Sequence, residues 1–191
     1  LAACVLMLLY VRYETSYDSW MEGAEKAFQV QTFYEATESG GEEMELQMSS
    51  IVVGRALEKD FPDQVEKVVW VRGFSPIVIQ DGRAAEIEIL RMVDDNLFEI
   101  FRVPFVRKTL TIVDNMGNVD YRVTGVFEDF PKNSHFTADA VARFDLGVQF
   151  ADRESVLTSW TSEQGWNYVR LRSPEDAALI HSQMPAWEKR N

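Results

Sequence analysis

Leu1 to Val11 (LAACVLMLLYV) contains no charged residue, and Arg12, Glu14 and Asp18 follow at once. A helix on a globular surface shows a polar face at every turn, because a period of 3.6 keeps bringing solvent-facing positions round. This run has no such face, so a helix built from it must be surrounded by protein or by lipid. Eleven helical residues rise about 16 Å, roughly half of a ~30 Å hydrocarbon layer. Residues 1–13 therefore read as the C-terminal half of a transmembrane helix, with Tyr10, Arg12 and Tyr13 as interfacial residues at its exit. Processing signals fit worse. No basic stretch precedes the run, and VRYETSYD offers no A-x-A cleavage site. Leu1-Ala2-Ala3-Cys4 resembles a lipoprotein box, but such a box follows its apolar run, and here the run comes after it.

Beyond the exit, Glu14, Asp18, Glu22 and Glu25 outnumber Arg12 and Lys26. Cytoplasmic flanks are rich in Lys and Arg, so this flank reads as the outer side. The whole chain carries a net charge of −12, which excludes a nucleic-acid partner, since phosphate binding needs a basic face. It also disfavours lying flat on an anionic bilayer. With 191 residues, 46% hydrophobic and 26% charged, the chain suits one ordinary globular domain or two small ones. Cys4 is the only cysteine, so no intrachain disulfide can form and cysteine usage leaves the compartment open.

The rest of the chain alternates between strand and helix patterns. Ser19-Trp20-Met21-Glu22 has capping-box spacing and predicts a short helix to Ala27. Phe28–Tyr34 reads as a strand, and Thr37–Glu45 as an acidic glycine loop whose Glu42, Glu43 and Glu45 form a solvated cluster. Ile51–Phe61 has helical spacing and stops before Pro62; Val65–Arg72 follows as a strand. Ile77–Gln80 and Ala85–Val93 read as β segments around Asp81-Gly82, and Asp95–Phe101 as a helical turn. A hairpin pairs Leu110 and Ile112 with Tyr121 and Val123 across DNMGN; its glycine position does not fit a calcium loop.

Phe136–Phe144 alternates and predicts a strand, Asp152–Glu163 a helix and Trp166–Arg172 a strand. Ser173-Pro174-Glu175-Asp176 supplies an N-cap, a proline at the first helical position and first-turn acids, opening a last helix to Lys189. The fold class is α+β: strand–helix–strand units near both ends enclose a β-rich middle, with helices packed on open sheets.

Catalytic motifs are missing. His135 and His181 fall in different elements without metal-ligand spacing, and Cys4 is committed to the apolar run. No nucleophile elbow, zincin, P-loop or dinucleotide fingerprint occurs. His181 reads as a surface residue, His135 as a hydrogen-bonding residue of a turn, and the five tryptophans as packing.

The stretch Asp120–Phe136, DYRVTGVFEDFPKNSHF, resembles the signature of MacB-like periplasmic core domains in FtsX-like ABC transporter permeases, where a "VTGV" strand runs into "D-x-P-x-N-S-H". VRYETSYDSW, ALEKDFPDQVEKVVWVR, MVDDNLFEIFRVPFV and YVRLRSPEDAALIHSQMPAWEKR resemble further segments of that family, in its order, so the likeness covers almost the whole chain. One departure stands out. The family carries a longer insertion between Val106 and Lys108 that builds a second subdomain, which here is either shortened or missing from the chain.

The resemblance implies a permease subunit of a bacterial inner membrane, with residues 14–191 as its periplasmic, extracytoplasmic domain between the first two of four membrane helices. It implies a separate cytoplasmic ABC ATPase subunit, a permease homodimer or heterodimer, and a periplasmic adaptor or cargo protein as partners. The domain would act as a lever coupling ATP-driven motion to work outside the membrane. No cofactor, metal or catalytic residue is implied. The motif residues Gly125, Asp129, Pro131, Asn133, Ser134 and His135 are structural: Gly125 permits a strand irregularity, Pro131 and Asn133 set a turn, and His135 anchors it. The alternative is a ligand-binding sensor domain of a membrane receptor. Residues beyond Asn191 separate the two, since a permease continues into three apolar spans and a sensor into one span and a signalling module. A membrane-anchored hydrolase would instead lose turnover on mutation of His135.

Overall fold

The computed structural model describes residues 2–36, 41–80, 83–101, 105–106, 111–112, 121–122, 125–145, 150 and 152–191. Helix α1 (Ala2–Glu14) leads through turns into a 3-10 turn at Ala24–Lys26. Strands β1 (Ala27–Val30), β2 (Thr32–Tyr34) and β3 (Met44–Leu46) come next, then helix α2 (Ile51–Asp60). Strands β4 (Val65–Phe74), β5 (Ile77–Gln80), β6 (Arg83–Glu86) and β7 (Leu90–Val93) precede the single-turn helix α3 (Leu97–Ile100). Four two-residue strands follow: β8 (Phe105–Val106), β9 (Thr111–Ile112), β10 (Tyr121–Arg122) and β11 (Val126–Phe127). The chain closes with β12 (Ala140–Arg143), α4 (Arg153–Thr158), β13 (Trp166–Leu171) and α5 (Asp176–Glu188).

The body is α+β, built on a five-stranded sheet in the order β1-β13-β4-β7-β12. Neighbours run antiparallel except β7 and β12, which run parallel. Side chains alternate across a strand, so each strand feeds two cores. On one face Val68, Val169 and Leu171 pack against Leu57 and Phe61 from the end of α2 and Trp187 from α5. Each fully buried side chain of this size contributes about 1.5–3 kcal/mol by leaving water. Ser50 caps α2 by accepting from the Val52 N–H at 3.2 Å, and its own hydroxyl donates to the Ser159 carbonyl at 2.5 Å. The Trp187 indole N–H donates to Asp60 Oδ2 at 2.8 Å, tying the last helix to the end of α2.

Among the described residues, no long helix covers the other face. Val69, Val71 and Val93 are covered by Leu97, Ile100, Phe101, Phe136 and Ala138, and by Met21 from the segment after α1. Aromatic rings form a continuous ladder here. Tyr168 of β13 meets Phe101 at 5.1 Å, Phe101 stacks on Phe136 at 4.6 Å, Phe136 meets Phe130 at 5.3 Å, and Phe130 meets Trp20 at 5.7 Å.

Several expectations change. The capping box at Ser19 opens no helix, because the Ser19 hydroxyl donates to the Ser16 carbonyl at 2.7 Å and helical hydrogen bonding begins only at Ala24. Phe28–Tyr34 splits at Gln31: β1 pairs with β13, whereas β2 pairs with β3, which takes Met44 and Glu45 out of the supposed loop. Ala85–Val93 is two strands, since β6 pairs with β5 and β7 with β4 and β12. Between them the Ile89 carbonyl accepts the Asp139 N–H and its own N–H donates to Asp139 Oδ2, which turns the chain from one sheet to the next.

Phe136–Phe144 narrows to β12. Phe136 and Ala138 are buried without ladder pairing, as the Phe136 and Thr137 carbonyls accept from the Ser134 hydroxyl and Arg91 Nε instead. The predicted helix over Asp152–Glu163 shortens to α4, with Asp152 as its cap. The last helix starts at Asp176, because Ser173 to Glu175 form i→i+3 turns and the Ser173 N–H donates to Asp176 Oδ2 at 3.0 Å. The DNMGN turn, Leu110 and Val123, and the junction of Arg107 with Lys108, lie outside the described residues; Thr111–Ile112 does pair with Tyr121–Arg122.

Candidate functional site

The D-x-P-x-N-S-H loop and the segment leaving α1 meet in one cluster. Asp18 sits at its centre. Its backbone is left-handed, with φ of 57°, a region that costs most residues energy but that Asp tolerates. Its N–H donates to the Asn133 carbonyl at 2.9 Å, its Oδ1 accepts the His135 N–H at 2.9 Å, and its Oδ2 lies 2.7 Å from His135 Nδ1. A carboxylate oxygen accepts, so the Nδ1–H tautomer of His135 fits this contact. Asn133 completes the cluster: its amide donates to the Ser16 carbonyl at 2.9 Å and to Ser16 Oγ at 3.0 Å. The Tyr17 ring lies 4.6 Å from the His135 ring and 5.5 Å from Tyr13, the last ring of α1.

The motif residues divide by role. Asn133 and His135 bind the α1 exit, whereas Ser134 is buried and its hydroxyl donates to the Phe136 carbonyl at 2.7 Å. Asp129 is exposed, and Pro131 and Gly125 are half-buried beside Phe130 and β11. His181 is exposed on α5, far along the chain from this cluster. The hydroxyls beside His135 are committed to carbonyls: Ser134 to Phe136, and Ser16 to Tyr13 at 2.7 Å. Among the described residues, no group of three or more His, Cys, Asp or Glu is placed to hold a metal ion. Chemically the cluster fastens one chain segment to another.

Behind it the fastening continues into the sheet. Arg91 of β7 donates from Nε to the Thr137 carbonyl at 3.0 Å and lies 4.8 Å from the Trp166 ring, and burial pushes its guanidinium below the ordinary value. Burial pushes the Tyr168 hydroxyl up to about 12, with the Arg91 guanidinium opposing and the charge of Asp18 adding a lesser rise. The ring ladder thus links the loop of the cluster to β13, next to the central strand β4.

Sequence reasoning marked Asn133 and His135 as turn residues but missed their partners Asp18 and Ser16. It also missed a second buried cluster on the opposite face. The Asn167 amide donates to Ser49 Oγ at 2.9 Å and to the Ser50 carbonyl at 2.7 Å, all three residues being fully buried. Gly54 of α2 lies against it so closely that an added Cβ would stand 2.2 Å from Asn167 Oδ1. The signal was available: a polar residue at a position that alternates with Val169 and Leu171 must be hydrogen-bonded if it is buried.

Helix α1 contrasts with all of this. Val5 to Val11 are exposed round its circumference, from Val5 at 48% to Met7 at 71%. Among the described residues no helix is long and apolar enough to cross a membrane.

An open α+β sheet with helices on one face and a loop-built aromatic layer on the other defines the fold class. A solved structure shares it: a domain of a "putative Permease protein" from Porphyromonas gingivalis, with a TM-score of 0.63 and 21% identity, over 86% of this chain and 83% of that one. No protein-family model matches the chain, and no curated protein matches it.

Proposed function

We propose that this chain is the extracytoplasmic, MacB-like core domain of an FtsX-like ABC transporter permease, held by α1 on the periplasmic side of a bacterial inner membrane. One observation carries the reading. α1 exposes Leu6, Met7, Leu8, Leu9 and Tyr10 together, while its exit is hydrogen-bonded into the folded body. Water does not favour so continuous an apolar cylinder, and lipid does. At 13 residues α1 rises about 20 Å, which fits the outer part of a bilayer span. Likeness of fold to the Porphyromonas domain supports the permease reading, and the order of family-like segments along the chain supports its type.

Energy would come from a cytoplasmic ABC ATPase subunit, since no nucleotide-binding fingerprint occurs here. The permease would work as a homodimer or heterodimer, with an adaptor or cargo protein outside the membrane. Residues 14–191 would be the lever.

A membrane-impermeant maleimide tests the placement. In the intact gene product, Gln183→Cys on the exposed surface of α5 should label in whole spheroplasts. Labelling only after lysis would place the domain in the cytoplasm, and recovery of the protein in the soluble fraction would remove the membrane reading altogether.

A further inference from the structure

We infer that Asp18, His135, Asn133 and Ser16 form a mechanical clasp that fixes the direction in which α1 leaves the body, with Asp18 as the swivel. The clasp deepens the permease reading and rests on it only for what α1 would transmit.

Three features make this cluster a joint rather than an ordinary turn. Among the described residues, apart from the local turn bond from the Met21 N–H to the Asp18 carbonyl, every hydrogen bond that ties residues 2–19 to the rest of the body ends on Asn133 or His135. Next, the Asp18 carboxylate is gripped at both oxygens by one residue, the backbone N–H and the ring of His135. Two-point contacts with a charged group fix orientation as well as distance, which a single bond cannot do. Finally, Asp18 holds a positive φ, a conformation that persists where its surroundings over-determine it. With the clasp open, the residue is free to relax and α1 can turn about it.

The far side of the clasp is as firmly set. Ser134 and Arg91 hold the backbone on either side of Phe136, and Phe136 stacks on Phe101 beside Tyr168 of β13. A displacement of α1 would therefore reach β13 of the sheet through groups already in contact. Trp20 on Phe130, and Met21 in the core, keep the segment docked when the clasp opens, so the joint swivels without detaching.

Cys4, exposed on α1, is a ready spin-label site, and Gln183→Cys on α5 provides the second. Distances between the labels are measured in the intact gene product in nanodiscs. The unaltered clasp should give one narrow distribution. His135→Ala and Asp18→Gly should broaden it, Asn133→Ala should do so less, and Lys132→Ala, outside the clasp, should leave it unchanged. Glycine accepts a φ of 57° without strain, so Asp18→Gly removes the bonds and keeps the turn foldable should His135→Ala fail to fold. In Asp18→Gly the His135 amide should also lose hydrogen-exchange protection by about tenfold or more. Unchanged widths in a folded Asp18→Gly chain would overturn the inference. A chain that proves not to be membrane-bound would sink the permease reading and leave the distance result standing, because no ATPase or cargo enters the measurement.

Discussion

Asp18 and His135, 117 residues apart in sequence, meet at both carboxylate oxygens, and Asp18 does so in a left-handed backbone conformation. Asp18→Ala loses these bonds and keeps the backbone penalty, so it should cost about 1–3 kcal/mol. Asp18→Asn retains an acceptor and tolerates the same φ, and should cost clearly less. Urea unfolding midpoints of the two variants check the order; equal costs would mean that the acceptor and the φ tolerance kept by asparagine contribute nothing.

Asn167→Ala should be among the most damaging single changes. It strips the Ser49 hydroxyl and Ser50 carbonyl of their donor inside a fully buried site and leaves a void. A cost of about 2–4 kcal/mol is expected. Ser49→Ala removes one partner only and should cost about half as much. Chemical denaturation followed by tryptophan fluorescence separates them.

Gly54→Ala opposes two effects. Alanine favours the helix by about 1 kcal/mol, but its Cβ would stand 2.2 Å from Asn167 Oδ1 and 2.8 Å from Val68 Cγ1. Asn167 is pinned by two hydrogen bonds and cannot withdraw, so overpacking of about 1–3 kcal/mol should win. A melting temperature below that of the unaltered protein is expected.

Two aspartates set opposite pH dependences. Burial pushes Asp94 above the ordinary carboxylate range, against the pull of the Trp70 and Asn96 backbone N–H groups. A raised folded value means that its contribution is present below the unfolded pKa of about 3.9 and is lost as pH rises through the folded one. Asp60 is held low, first by the Trp187 indole and then by Arg190 against some desolvation. Its contribution is present above the unfolded pKa and is lost as pH falls through the folded one. Melting curves through the carboxylate range should show Asp94→Asn flattening the loss on the rising side, and Asp60→Asn flattening the loss in acid.

Leu8→Glu separates folding from membrane attachment. Leu8 is 69% exposed on α1 and touches none of the cores, so the stability of the body should change by no more than about 0.5 kcal/mol. In lipid a carboxylate in such a helix costs up to about 3 kcal/mol, so partitioning into vesicles should fall by tenfold or more. Unchanged partitioning would show that α1 does not insert.

Elements whose pattern is local were legible. Ile51–Asp60 has helical apolar spacing and its own serine cap, and Trp166–Leu171 alternates cleanly, so both could be read from neighbours a few residues away. Phe136 and Ala138 show the limit. They alternate like a strand, yet they are buried without strand pairing, because the Ser134 hydroxyl and Arg91 Nε donate to the Phe136 and Thr137 carbonyls. The candidate site was half legible: Asn133 and His135 stood out as turn residues, but nothing near them in sequence points to Asp18 or Ser16.

The amino-acid sequence by itself determined an acidic α+β body, its main helices and strands, and an apolar run with no polar face to offer water. These follow from periodicity, capping and composition, which act over a few residues. Only the tertiary structure decided that β13 lies between β1 and β4, that the Asn167 amide N–H groups are taken by Ser49 and Ser50, and that the exit of α1 is clasped by the loop at Asn133 and His135. Those contacts join residues about a hundred positions apart or more. They exist because two independent cores bring the segments together, and periodicity carries no record of partners at that separation.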